Sequence, residues 1–329
     1  SSDVLFLLMG YVSFQAGFTR DLYFTARMWL SRLYGGLAMA SVAGCAMFAA
    51  VSGSSLATAA AMGKLAVPEM LRYNYDKGLA SGVVAASGTL GSLIPPSILM
   101  ILYGLFTEES VGQLLIAGLI PGVLFIIVMV GIYVGIVTPT EAAAVGAAGA
   151  CLLGFLTKRL NTEKFKLALI ETVMTTSGIF ALVLGAKLFV GFIALTGVAG
   201  ALTEWATSLD VPPVWILVSL STIYIILGTF MDPIGMMLLT LPVVTPVISA
   251  LGYDLVWFGV IMVKFLEIGL ITPPVGLNVY ILKGVVGDSI PLETIFKGIL
   301  WFLAMDILTL AILIAWPEIS LWLPSTILR

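Results

Sequence analysis

From Leu114 to Val134 the chain reads LLIAGLIPGVLFIIVMVGIYV, without one charged side chain. About 20 apolar residues are what a helix needs to cross the hydrocarbon core of a bilayer. Val214–Phe230 with its flanks is a second run of this kind. Inside lipid every backbone polar group must be satisfied within the fold, which leaves helices and closed barrels. The runs are continuous and do not alternate, so the barrel is excluded. Composition agrees: 60% of the 329 residues are hydrophobic and 10% charged, with mean hydropathy +1.14. Soluble domains carry roughly 25% charged residues. The sequence predicts an all-α polytopic membrane protein.

Histidine is absent, which removes imidazole metal sites, His proton relays and Ser-His or Cys-His catalysis. Cys45 and Cys151 sit in apolar segments and read as small buried hydrophobes, with no disulfide framework. A net charge of −3 gives no signal for nucleic acid, and none is expected as a partner. The chain opens Ser1-Ser2-Asp3 and enters an apolar run directly, with no cleavable signal peptide. It reads as truncated or incompletely represented.

Two helix-breaking segments share a pattern: "GSLIPPSIL" at 91–99 and "GLITPPVGL" at 269–277. Shifting the sequence by 178 residues superposes Pro68 on Pro246, Tyr75 on Tyr253, Asp76 on Asp254 and Gly91 on Gly269. Pro95 and Pro96 fall on Pro273 and Pro274. "SVGQLLIAG" at 110–118 and "SIPLETIFKG" at 289–298 follow with a shift of one residue. Internal repeats of this kind are a hallmark of secondary transporters. Charge sets their orientation. The first copy carries Arg72 and Lys77 with Arg20, Arg27 and Arg32 upstream, whereas no Lys or Arg occurs between Lys187 and Lys264. By the positive-inside rule these regions lie on opposite sides of the membrane. At the far ends "FTEES" is acidic after copy one and Lys283 follows copy two, so the bias reverses. The copies are expected to be inverted.

Each copy opens with two apolar segments joined by a polar or broken tip, "SGSS" at 52–55 or "MDPIG" at 231–235. Segments that end near Pro68 and Pro246 are short for a crossing and read as re-entrant hairpins. Non-helical backbone at membrane depth is tolerated only where protein buries it or water reaches it, so tips of this kind are expected at a site. The expected organisation is a scaffold helix and amphipathic arm at 1–34, and a first repeat at 35–106 with hairpin 36–68 and broken helix 77–106. Scaffold and connecting helices follow at 107–200. The second repeat spans 211–288, with hairpin 212–246 and broken helix 254–284, and C-terminal scaffold helices occupy 289–329. One crossing is unaccounted for: "TKRLNTEKFK", with four cations, would otherwise lie outside. A spanning segment is therefore expected to be missing near 131–138.

The prolines of the two breaks remove backbone donors and clash with the preceding turn. Freed carbonyls there can face a cation, and a restarting half-helix can face an anion. Ser52, Gly53, Ser54 and Ser55 offer hydroxyls and close backbone approach, although "SGSSLATAAAMG" also fits small-residue helix packing. Asp232 before Pro233 fits a helix cap and equally a cation ligand. Lys264 and Glu267, three apart in an apolar run, are expected to pair, as a structural bridge first and in ion coupling or gating second. Lys187 reads as snorkelling or paired, ahead of a part in substrate binding. Thr138, Pro139 and Glu141 form a capping box. Asn278, four residues after Pro274, can offer its amide to a cavity. The cationic, amphipathic stretch at 19–36 reads as an interfacial helix.

The run "FAAVSGSSLATAAAMGKLAVPEMLRYNYDKGLASGVVAASGTLGSLIPPSILMILYG" resembles the large membrane subunit of tripartite ATP-independent periplasmic (TRAP) transporters. So do "GTFMDPIGMMLLTLPVVTPVISALGYD", "LEIGLITPPVGLNVYI" and "TPTEAAAVGA", and the similarity continues through "PEISLWLP". The family's usual extra helix and loop before "TPTEAAA" are absent, and the chain begins within what resembles the family's second or third hydrophobic segment. The resemblance implies a multi-pass protein of the bacterial inner membrane that imports an organic acid with sodium as coupling ion. Transport and scaffold domains would work by an elevator mechanism. Its partners would be a periplasmic substrate-binding protein, a small four-helix membrane subunit (separate or fused) and membrane lipid. Mapped onto this sequence, sodium would be held by Ser52, Gly53, Gly88 and Gly91 at the first tip and break, and by Gly228, Asp232, Gly269 and Thr272 at the second. Substrate would meet Ser52, Ser54, Ser55, Thr89, Ser97, Pro274 and Asn278. A stand-alone sodium–dicarboxylate symporter needing no binding protein is the alternative, ahead of a channel or an intramembrane enzyme. No embedded Ser–Lys or Asp pair points to the last of these.

Overall fold

The computed structural model describes residues 2–30, 35–94, 97–109, 113–114, 139–209 and 211–327. Every regular element among them is helical. In chain order these are α1 (Ser2–Gln15), α2 (Phe18–Leu30), α3 (Gly36–Ser52), α4 (Ser55–Arg72) and α5 (Lys77–Gly88) with a 3-10 turn at Thr89–Ser92. Then come α6 (Ile98–Thr107), α7 (Pro139–Leu156), α8 (Thr162–Thr196), α9 (Val198–Ser208), α10 (Pro213–Gly228) and α11 (Pro233–Ala250). The chain closes with α12 (Leu255–Ile271), α13 (Leu277–Val286), a 3-10 turn at Gly287–Ser289, α14 (Leu292–Ala315) and α15 (Glu318–Ile327). The run from 115 to 134, Pro95-Pro96, the crossing expected to be missing near 131–138 and Thr138 of the capping box lie outside what is described; α7 begins at Pro139.

Among the described residues α8, α11 and α14 are long and apolar enough to cross a membrane. The 35 residues of α8 extend about 52 Å at helical rise, beyond the roughly 30 Å of hydrocarbon. Leu184, Leu188 and Leu195 stand exposed along it, which suits a lipid-facing surface. The all-α membrane architecture read from the sequence is the one this chain adopts.

Helix α12 is the centre of the larger core. Every residue from Val256 to Ile271 is buried, as expected of a helix apolar on every face apart from the paired Lys264 and Glu267. Its N-terminal half is tied to its neighbours: Tyr103 Oη donates to Leu255 O at 2.9 Å, and Trp257 Nε1 to Leu313 O at 2.9 Å. Tyr224 of α10 stacks on Phe265 with ring centroids 5.4 Å apart. A second core, with Met62, Met70, Val84 and Leu282, joins the first hairpin to α5 and α13.

Helix α14 packs along α5 through glycines. A Cβ added at Gly298 would lie 1.9 Å from Gly78 O, and one added at Gly82 would lie 2.5 Å from Gly298 O. Such close approach gives membrane helices the van der Waals contact that hydrophobic burial cannot supply in lipid. The sequence groups 289–329 with the scaffold, but the main contacts of α14 are with the two broken helices, α5 and α12.

The hairpin arms run further than the prolines suggest. Helix α4 continues through Pro68 to Arg72, and α11 through Pro242 and Pro246 to Ala250. Proline removes one ladder bond, and packed membrane helices absorb that loss. The chain turns instead at left-handed residues, Asn74 with φ 58° and Gly252 with φ 79°. There Tyr75 N donates to Met70 O at 3.1 Å and Tyr253 N to Ile248 O at 3.2 Å. Asp76 then caps α5 by accepting from Leu79 N at 2.9 Å, and Asp254 caps α12 by accepting from Trp257 N at 3.0 Å. The same turn and cap occur twice, 178 residues apart.

On the face that carries Arg20 and Arg27, α2 is amphipathic. Tyr23 and Ala26 are buried while Met28 and Trp29 are exposed, the division an interfacial helix requires. Arg27 pairs with Glu69 of α4 and donates to Tyr73 Oη.

Candidate functional site

The first tip is two residues long. Gly53 takes φ 61°, open to glycine without strain, and Ser54 starts the return arm as its N-cap. Ser54 O accepts from Thr58 Oγ1 at 2.8 Å, and Thr58 Oγ1 lies 3.1 Å from Ser52 Oγ. The tip rests on the first break. A Cβ at Gly91 would stand 2.8 Å from the carbonyl carbon of Ser54, and one at Gly88 would stand 3.0 Å from Ala59 Cβ. Ser55 Oγ donates to Thr89 O at 3.3 Å and shares a hydrogen bond with Ser92 Oγ. Ile98 N, just past the break, points to Gly53 O at 3.4 Å. Ser97 caps α6, accepting from Met100 N at 3.2 Å while donating to Ser92 O.

The second tip is built differently. Gly228 ends α10 with its backbone against Gly269 of α12; a Cβ at Gly228 would lie 3.0 Å from Gly269 Cα. Asp232 caps α11, accepting from Gly235 N at 2.9 Å, with Pro233 at the first helical position. One carboxylate oxygen therefore serves the cap, as the sequence allows. At the break, Thr272 Oγ1 donates to Ile268 O at 2.5 Å, and Pro273 and Pro274 are exposed. Asn278 is buried: Nδ2 donates to Ala85 O of the first broken helix at 3.4 Å, while Oδ1 has no partner among the described residues. Among the described residues, no three His, Cys, Asp or Glu gather as a metal cluster. The oxygens at the first tip are backbone carbonyls and hydroxyls, and the second tip presents the Asp232 carboxylate.

Both tips open on one cavity of about 490 Å³. Ser52, Gly53, Ser54 and Ser55 line it from the first hairpin, Asp232 and Pro233 from the second, and Ser92, Ile98 and Leu270 from the broken helices. Of the residues assigned to substrate by the sequence, Ser52, Ser54 and Ser55 line this cavity, whereas Thr89, Ser97, Pro274 and Asn278 do not. Of those assigned to the ion, Ser52, Gly53 and Asp232 line it. Gly88 and Gly91 lie beneath the first tip and Gly228 and Gly269 beneath the second, while Thr272 sits past α12.

Among the lining residues that escape the sequence reading are Lys64 of α4, Tyr11 of α1, and Glu171 and Thr175 of α8. Tyr11 Oη and Thr175 Oγ1 are 2.9 Å apart. A lysine midway along a hairpin arm was the available signal for Lys64. Nothing local marks Glu171, which comes to the cavity only through tertiary packing. The expected Lys264–Glu267 pair forms at 3.0 Å and has a third member, Asp306 of α14, at 2.6 Å from Lys264 Nζ. Lys187 is exposed, and the free Cys45 is buried.

A family profile described as the tripartite ATP-independent periplasmic transporter, DctM component, matches residues 3–130 and 123–319. The C4-dicarboxylate TRAP transporter large permease protein DctM of Pseudomonas aeruginosa is 34% identical, over 97% of this chain and 84% of that protein. The sialic acid TRAP transporter large permease protein SiaM of Vibrio cholerae is 31% identical, over 98% of this chain and 85% of that protein. These alignments run over 363 and 366 positions, more than the 329 residues present. The crystal structure of the Alcanivorax borkumensis YdaH transporter superposes with a TM-score of 0.56 at 15% identity, over 98% of this chain and 86% of that one; it shares the fold. With one family profile covering nearly the whole sequence and large permeases about a third identical along it, the chain belongs to the DctM-component family of TRAP transporters, as a multi-pass membrane permease and not an enzyme.

Proposed function

We propose that this permease imports an organic acid with sodium across the bacterial inner membrane, taking it from a periplasmic substrate-binding protein and working beside a small membrane subunit. The observation that carries this reading is the single cavity lined by both hairpin tips. It is a concave site where helix ends and broken backbone converge, as in secondary transporters. That large permeases named for C4-dicarboxylate and for sialic acid align with the chain supports a carboxylate as cargo. Sodium at oxygens of the tips and breaks would neutralise the incoming anion. Each positive charge moved inward gains about 2.3 kcal/mol per 100 mV, so two ions per monoanion would concentrate substrate.

In the elevator mechanism the hairpins and broken helices move as one body. The close packing of α14 on α5 and α12 supports counting α14 with that body, which alters the division drawn from the sequence. The test is uptake of radiolabelled organic acid into proteoliposomes that hold the permease and its small subunit. The acid is first chosen by a thermal-shift screen on the cognate binding protein. Uptake is expected only with that protein present and with an inward sodium gradient. Equal uptake with potassium in place of sodium would sink the coupling, and equal uptake without the binding protein would favour the stand-alone symporter.

A further inference from the structure

The cavity carries charges that the tips and breaks leave unexplained. Lys64 lies ten positions past Ser54 on α4, about 15 Å along the helix from the tip. It is exposed to the cavity and makes no hydrogen bond or ion pair among the described residues. The other lysines of the hairpins and broken helices themselves are matched, whereas Lys297 of α14 is exposed away from this cavity's lining. Lys264 is buried with two carboxylates, Lys77 Nζ donates to Ser289 O at 3.0 Å, and Lys283 donates to Gly287 O at 2.6 Å. A cation that faces a cavity without a partner is open to water or to an anionic ligand. On α8, Glu171 lines the same cavity and has a buried carboxylate oxygen, Oε2, with no partner among the described residues. A buried acceptor without a donor loses its hydration for nothing in return. Thr175, one helical turn on from Glu171, faces the same cavity, and Asp232 adds a second carboxylate.

We propose that this cavity selects organic acids that carry a hydrogen-bond donor, a hydroxyl or an ammonium, beside the carboxylate. The carboxylate meets Lys64 on the first hairpin and the donor meets Glu171 on α8. The inference rests on the function proposed above and names the substrate class within it. An unsubstituted dicarboxylate would satisfy Lys64 but bring its second charge toward Glu171 and Asp232, and like charges across an interface reject a ligand. A hydroxy or amino acid answers both walls. Because Lys64 belongs to the hairpin and Glu171 to α8, the selection acts in the conformation described.

The test is calorimetric binding to the permease with its small subunit in nanodiscs, in sodium buffer. Succinate, malate and aspartate are compared because they share one carbon chain and differ by hydrogen, hydroxyl or ammonium; gluconate serves as a longer hydroxy acid. At least one hydroxy or amino acid is expected to bind roughly tenfold or more tightly than succinate, the effect of one hydrogen bond to a charged group. Glu171→Gln should compress that preference. Lys64→Met should weaken every acid roughly ten- to hundredfold, with Lys64→Arg retaining most of the affinity. Thermal unfolding without ligand separates these losses from misfolding, and Lys64→Arg and Glu171→Gln decide the matter where Lys64→Met does not fold. Sodium-dependent binding of succinate as tight as the others, or a preference that survives Glu171→Gln, would overturn the inference and leave the proposed function standing. Wild-type preference restored in the exchanged pair Lys64→Glu/Glu171→Lys would also overturn it, as a simple ion pair between the two. Absence of binding by all four acids would overturn the inference, while the proposed function, whose acid comes from the screen on the binding protein, stands or falls on the uptake assay.

Discussion

Gly269 meets Gly228 backbone to backbone: a methyl group at Gly269 would stand 2.7 Å from Gly228 Cα and 2.9 Å from its carbonyl carbon. The contact joins the end of α10 to the last turn of α12, just ahead of the second break. Neither backbone can move aside without unseating the tip. Gly269→Ala is therefore expected to destabilise the protein by about 1–3 kcal/mol through overpacking, even after alanine's helical advantage of about 1 kcal/mol. Gly284→Ala in α13, where an added Cβ meets nothing within 4 Å, is the control and should be neutral or mildly stabilising. Thermal unfolding of the two variants in detergent reads the difference; equal melting would remove the contact from the account.

The paired caps make a second prediction. Asp76 and Asp254 accept from the backbone nitrogens of Leu79 and Trp257 at the starts of α5 and α12. Removing a cap side chain costs about 0.5–2 kcal/mol. Asp76→Ala and Asp254→Ala should each lower stability within that range, while Asp→Asn or Asp→Ser at either position should restore most of it. A loss that asparagine fails to recover would mean that charge, not the cap, is what matters there.

Lys264 argues a third. It is held by Glu267 at 3.0 Å and by Asp306 at 2.6 Å, tying α12 to α14 in the core. Truncating a buried ion-pair partner leaves uncompensated charge and costs about 3–5 kcal/mol. Lys264→Met should therefore be severely destabilised, with two carboxylates left facing each other. Lys264→Met combined with Glu267→Gln and Asp306→Asn removes the charge along with the partner and should recover much of the loss. Denaturation of all variants in one detergent measures this; a triple variant no better than Lys264→Met alone would point to a role for the lysine beyond balancing charge.

What the sequence makes legible here is mostly local. Glycine–proline breaks and a serine cluster between two apolar segments are short-range signals, and they point to the tips and the breaks; Asp76 and Asp254 stand out along the chain only as a repeated pair, and their capping of α5 and α12 shows in the structure. Pro68 and Pro246 misled for the same reason: they look like terminators, yet α4 and α11 pass through them because neighbouring helices support the interrupted ladder. Asp306 lies 42 residues from Lys264, and no pattern along the chain announces it. Glu171 likewise becomes a cavity residue only when α8 packs beside the hairpins. The charges that give the cavity its character are thus set by tertiary contact, and the backbone devices around it by local sequence.

The first tip offers the sharpest separation of ion binding from stability. Ser55 Oγ reaches Thr89 O at 3.3 Å and shares a hydrogen bond with Ser92 Oγ, while Gly91 lets the Ser54 carbonyl approach the break. Ser55→Ala removes two hydrogen bonds of about 1 kcal/mol each without adding bulk. Gly91→Ala keeps them but pushes a methyl to 2.8 Å from the Ser54 carbonyl carbon. If oxygens of the tip and break hold sodium together, both changes disturb one site by different means. Each should then raise the sodium concentration for half-maximal uptake several-fold, with Gly91→Ala the more severe because backbone cannot yield as a side chain can. Sodium titration of uptake in proteoliposomes, alongside thermal unfolding, separates the cases. Variants that melt lower yet keep the wild-type sodium dependence would make the tip–break contact purely structural and move the ion elsewhere.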